Sequence, residues 1–154
     1  MSDVPKAVQL FRGGCACSQA ILATYGPPLG LPRETAMRVA AGFAGGMRLG
    51  GVCGAVTGSL MTLGLRHGSE TCDTAEGRTE IYAHVVEFTK RFRERRGSLD
   101  CRELLECDIS TPEGMQQARD RNLFMTTCVQ LVEEAATILE EMEAERRAAM
   151  ARNG

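Results

Sequence analysis

One stretch constrains the chain more than any other: Ala44-Gly45-Gly46-Met47-Arg48-Leu49-Gly50-Gly51, running straight into Val52-Cys53-Gly54-Ala55-Val56-Thr57-Gly58 and on to Gly64-Leu65. A glycine-rich turn here meets an apolar helix. Val56, Leu60, Leu63 and His67 recur at the spacing of one helical face. Gly54 and Gly58 lie on a neighbouring face, with Gly64 further on. Each glycine costs a helix interior roughly 1 kcal/mol against alanine. Several in one helix make sense only where another backbone comes close. We therefore expect this helix at the centre of the core, with Gly54 and Gly58 against a second backbone.

Cys53 stands where turn and helix join. The first N–H groups of a helix have no intrahelical partners, and the macrodipole there favours negative charge. A cysteine so placed tends to ionise at lower pH, and the thiolate is both nucleophile and metal ligand. The competing reading is a small buried packing residue.

Helix is the only strong periodicity in the rest of the chain. Val4, Val8 and Phe11 mark a short first helix, stopped near Gly13-Gly14. A second starts around Cys15 to Cys17 and ends at Gly26-Pro27-Pro28; a third opens at Leu31-Pro32 with Met37, Ala40 and Phe43 inward. After the Cys53 helix comes a polar loop from Gly68 to about Thr74, then a helix with Ile81, Val85, Phe88 and Phe92 on one face. The basic end of that helix, Lys90 to Arg96, reads as cations facing the negative helix terminus. Asp100 is placed to cap a short helix holding Cys101 to Leu105. Beyond Pro112 the pattern predicts one long helix to about Arg147, its inward stripe Met125, Cys128, Val132, Ala135, Leu139 and Met142. The expected fold class is all-α: a single-domain helical bundle of about six helices over residues 1–148, with a frayed tail at 149–154.

A net charge of −2 argues against nucleic acid or an anionic membrane as the main partner. No apolar run reaches the roughly 18 residues of a membrane span, and the N-terminus lacks a signal-peptide layout. We expect a cytoplasmic protein with no membrane insertion. Seven cysteines in 154 residues fall below the roughly 8–10 per cent of a disulfide scaffold. In a reducing compartment such cysteines are more often catalytic, redox-active or metal-binding. Cys17, Cys53 and Cys101 each stand at an expected helix start, and Cys128 faces inward where it could meet them.

These residues carry a resemblance. Gly14-Cys15-Ala16-Cys17-Ser18-Gln19-Ala20, Ala41-Gly42-Phe43-Ala44-Gly45-Gly46-Met47, Cys53-Gly54-Ala55-Val56-Thr57-Gly58, Cys101-Arg102-Glu103-Leu104-Leu105 and Cys128 together resemble the C_GCAxxG_C_C family of redox-active proteins. The family's four cysteines fall on Cys17, Cys53, Cys101 and Cys128. The resemblance implies redox activity or metal-cluster binding. One departure is Ala16, where such proteins often have Asn. Two chemistries fit the four thiolates: an iron–sulfur cluster or other soft metal, or a dithiol/disulfide cycle passing electrons to a partner. A third reading is an interaction module in which the cysteines only pack, and the glycine-notched helix and the Met125–Met142 stripe form a homodimer interface.

Cys15, Cys72 and Cys107 fall outside the set: Cys72 beside Glu70 and Asp73 in a polar loop, Cys107 at a loop edge where it could resolve a disulfide. There is no C-x-x-C, so a thioredoxin-like motif or zinc knuckle is not available. The glycine turn lacks the Gly-Lys-Ser/Thr of a P-loop. His67 and His84, the two histidines, are the only imidazole bases and read as structural.

Overall fold

The computed structural model describes residues 1–72 and 75–154, so Asp73 and the expected loop end at Thr74 lie outside the described residues. Among the described residues the chain forms eight α-helices: α1 (Val4–Arg12), α2 (Cys17–Tyr25), α3 (Arg33–Ala40), α4 (Gly54–His67), α5 (Ala75–Arg96), α6 (Cys101–Leu105), α7 (Pro112–Asp120) and α8 (Thr127–Asn153). None is long and apolar enough to cross a membrane.

The all-α class is as expected, but about six helices was too few. The segment read as one final helix is two. Thr111 caps α7, its hydroxyl accepting from the Gly114 N–H at 3.0 Å, with Pro112 in the first turn. Residues 121–126 then form turns, with Asn122 at φ +55°. Asparagine tolerates that left-handed conformation because its short polar side chain bonds locally. Met125 falls in this break and is half exposed, so it is not part of the inward stripe. The remainder of the stripe, Cys128 to Met142, is buried as expected, and α8 continues past Arg147 to Asn153.

The centre of the fold is α4 packed on α2. The reason is the glycine notch. A Cβ on Gly58 would lie 2.8 Å from the Ser18 carbonyl oxygen and 3.1 Å from the Ser18 Cα; one on Gly54 would lie 3.1 Å from the Ser18 nitrogen. Two backbones therefore touch where side chains would normally hold them apart. Gly64 meets nothing within 4 Å and has no such role. The main core gathers Ile21, Val56, Leu63, Phe88, Phe92 and the α8 stripe. A second cluster, Cys101, Leu105, Cys107, Ile109, Ala118, Leu123 and Cys128, packs beside it.

The faces considered for a homodimer are thus spent inside one chain: the notch on α2, the α8 stripe on the core. The last turn of α5 is basic as expected, with Arg93, Arg95 and Arg96 at the negative helix end. Two arginines also reach across: Arg91 donates to both carboxylate oxygens of Glu145, and Arg95 pairs with Glu141 at 2.6 Å and Glu134 at 3.5 Å. These pairs tie α5 to the acidic face of α8.

Candidate functional site

Each cysteine of the set is placed by a local rule. Gly14, at φ +113°, lets the chain leave α1 and re-enter helix at Cys17, the first residue of α2. Ala16 occupies the cap position with no capping side chain; Gln19 reaches back instead, its Oε1 accepting from the Ala16 N–H at 3.0 Å. Cys53 is the cap residue of α4 itself. Cys101 is the first residue of α6, which follows Asp100 without a side-chain cap bond from it. Cys128 is the second residue of α8. The sequence pattern set Cys128 apart as mid-helix; because α8 starts at Thr127, it too lies in a first turn.

Cys53 and Cys101 are joined by a feature that the helical periodicity does not announce. Residues 51–53 run antiparallel to 99–101. The Cys53 N–H donates to the Leu99 carbonyl at 2.8 Å, the Cys101 N–H donates to the Gly51 carbonyl at 2.6 Å, and Val52 bridges Asp100. Alternate residues of such a ribbon share a face, which puts Cys53 and Cys101 on the same side.

The turn before Cys53 is a single left-handed turn. Gly45, Gly46, Met47 and Arg48 all have φ between +61° and +64°, and the Gly51 N–H closes it on the Gly46 carbonyl at 3.0 Å. Glycine adopts this region freely; Met47 and Arg48 do not, at roughly 1–2 kcal/mol each. Backbone strain of this kind tends to collect at functional sites.

Cys17, Cys53, Cys101 and Cys128 all line one cavity of about 140 Å³, where the two apolar clusters meet. Its other walls are chiefly apolar, including Phe11, Leu105, Ile109 and Phe124. Arg48, from the left-handed turn, is the only charged residue among those described that line it.

The thiols sense one another. The Cys17 thiol beside it holds the Cys128 thiol below its ordinary value. Cys128, then burial and the neighbouring thiols Cys53 and Cys101, push Cys17 well up. Burial pushes Cys53 up to about 11, against the lowering effect of the nearby Ala55 and Val56 N–H groups. Burial, then Cys53 and Cys128, push Cys101 up to about 12. The expected low-pH activation of Cys53 is therefore corrected: the helix terminus acts on it, and desolvation wins.

The remaining cysteines separate. Cys72 is exposed, as expected, and Cys15 is half-buried against the main core. Cys107 lies in the bend after α6, at a loop edge as expected, but its side chain is buried in the second cluster with Cys101 and Cys128, without lining the cavity.

A family model covers residues 15–142, and its description is "Putative redox-active protein (C_GCAxxG_C_C)". The chain belongs to the C_GCAxxG_C_C family. No curated protein and no solved structure gave a match. This C_GCAxxG_C_C protein thus carries the family's redox description, and its four first-turn cysteines face one hollow.

The donor set can be tested against metals. One tetrahedral ion with bonds of about 2.3 Å to sulfur holds its thiolates about 3.8 Å apart. Among the described residues, no three of the cysteines have sulfurs all within 4.8 Å of one another. As arranged, the four do not fit a single ion. Thiolates spaced further apart around a hollow suit a polynuclear centre, whose size separates its ligands.

Proposed function

We propose that this protein is a redox carrier in which Cys17, Cys53, Cys101 and Cys128 hold one polynuclear thiolate-bound centre of the iron–sulfur type. The observation that carries the reading is the cavity itself. The hollow is largely apolar, and it is walled by four thiols from the starts of four helices. Soft thiolate donors select iron–sulfur and related centres. When bound, such a centre would accept and release electrons.

The chain's own residues supply the rest. First turns of α2, α4 and α8 present N–H groups and the positive ends of their dipoles to negative sulfur. At α4 the nearby Ala55 and Val56 N–H groups favour the Cys53 thiolate. Phe11, Ile109 and Phe124 give the hollow apolar walls, and Arg48 brings a positive charge to its lining. Raised thiol values mean that a bound cation must replace the protons at Cys17, Cys53 and Cys101, so loading should become easier as pH rises.

A second reading rests on the pairing of Cys17 and Cys128 at the wall of the hollow, where one thiol is pushed up and the other held low. Here Cys128 would attack the disulfide of a partner protein, and Cys17 would then displace it. The two cysteines give up two protons and two electrons, and the partner disulfide becomes two thiols.

Anaerobic purification followed by iron and acid-labile sulfide analysis separates the two. Iron and sulfide in stoichiometric amount, with visible absorption, support the cluster. Cluster-free protein that cannot be reconstituted, and whose Cys17 and Cys128 trap as a reversible disulfide, overturns it in favour of the dithiol.

A further inference from the structure

The chain has only two histidines, and the fold brings them together. His67 ends α4 and His84 lies on α5, with Glu80 one turn before it. Their imidazole rings stack with centroids 3.6 Å apart and planes 10° from parallel. Glu80 Oε1 stands 3.6 Å from His67 Nδ1. The ligand atoms of His67, Glu80 and His84 all lie within 4.8 Å of one another, and no other such group of three occurs among the described residues.

We propose that His67, Glu80 and His84 form a second metal site, one for a divalent transition ion, separate from the cysteine cavity. The site sits at the C-terminal end of α4, and Cys53 caps the other end. The 14 residues of α4, the last of them His67, put the two about 20 Å apart at 1.5 Å each. Two imidazoles and one carboxylate suit zinc, nickel, copper or iron, and leave positions open for water or a substrate.

Two features support binding. The donors come from two helices packed against each other, so their backbones are already fixed. Glu80 is mostly exposed, its side chain 61 % accessible, and gives an ion a route in from solvent.

Two features set limits on the geometry. Stacked rings have their lone pairs in parallel planes, so one ring must turn about its Cβ–Cγ bond before both can reach one ion. The His67 side chain is nearly enclosed and His84 is half-buried, so His84 is the ring free to turn. Arg66 and Arg146 lie near enough to oppose positive charge, although both pair with Glu143. The site is therefore one of modest affinity.

The test is Co2+ titration of the reduced protein, followed by absorption. Thiolate ligation gives intense near-ultraviolet charge transfer, and a nitrogen–oxygen site gives only weak visible bands. The expected result is a weak visible spectrum without new thiolate bands. His84→Gln should lose this binding by at least the roughly 10–100-fold typical of lost partners around a metal. Glu80→Gln, at an exposed position, should weaken it without disturbing the fold. Neither change should alter any thiolate signal. A spectrum made of thiolate bands alone overturns the proposal, as does a titration that both variants leave unchanged.

Discussion

At the scale of single residues, the site turns on a contest between burial and polar neighbours, and the two give opposite signs at nearby sulfurs. Cys128 is held low by the Cys17 thiol beside it; Cys53 is held near 11 because its enclosure outweighs the backbone N–H groups near it. Replacing Cys17 by alanine should therefore raise the value at which Cys128 ionises, read as a shift to higher pH in ultraviolet thiolate absorbance. An unchanged titration would show that the Cys17 thiol has no effect on Cys128. Stability carries the same information. Cys53 and Cys101 ionise near 11 and 12 in the folded chain, against about 9.0 when unfolded. The unfolded state thus loses their protons first. Their contribution is complete below about pH 9 and fades as pH rises toward 11–12. For Cys53 the two-unit difference amounts to about 2–3 kcal/mol at most. Under reducing conditions, denaturant midpoints should fall from pH 8 to pH 10.5 in the parent and fall less in Cys53→Ala. Equal slopes would assign the alkaline loss to other groups.

At the scale of elements, glycines that look alike in the sequence have opposite roles. Gly58→Ala gains helix propensity yet forces a methyl to within 2.8 Å of the Ser18 carbonyl, so it should destabilise by a few kcal/mol. Gly64→Ala meets nothing and should stabilise by about 1 kcal/mol. Thermal melts of the two variants should move in opposite directions; a shared direction would refute the notch. Met47→Gly should also stabilise, by about 1 kcal/mol, because Met47 is held at φ +61° with a partly exposed side chain. A lower melting temperature would mean that the Met47 side chain contributes more than its backbone costs. The notch was legible because glycines four apart weaken an apolar helix unless a neighbouring backbone fills the gap they leave. The left-handed turn was legible only as glycine-rich, since nothing in Met47-Arg48 declares a positive φ. The break between α7 and α8 was hidden for a related reason. Asn122 is a weak signal inside a strongly periodic segment, and an expected stripe continued through it.

At the scale of the whole molecule, four cysteines far apart in sequence face one cavity because three separate devices converge. The α2–α4 notch brings Cys17 beside Gly54, a Cβ on which would lie 3.3 Å from the Cys17 Cβ. The 51–53/99–101 ribbon brings Cys101 beside Cys53, and the start of α8 at Thr127 brings Cys128 to Cys17. The choice of the four could be made from helix starts and from the family resemblance; the ribbon, a pairing of two short loops, leaves no periodic trace. This convergence makes the last prediction decisive between the two redox readings. In the cluster reading each serine replacement removes one ligand of a shared centre, so Cys17→Ser, Cys53→Ser, Cys101→Ser and Cys128→Ser should each reduce bound iron by a similar large factor. Groups that act as one unit lose function non-additively, so a double replacement should be little worse than a single one. In the dithiol reading, only Cys17→Ser and Cys128→Ser should abolish the reversible disulfide, and Cys53→Ser and Cys101→Ser should leave it intact. Cys72→Ser, on an exposed loop, is the control and should change neither readout. Helical circular dichroism must match the parent for each variant, above all for Cys128→Ser at a buried position. A folded Cys53→Ser protein with full iron would remove Cys53 from the ligand set and, with it, the claim that all four act together.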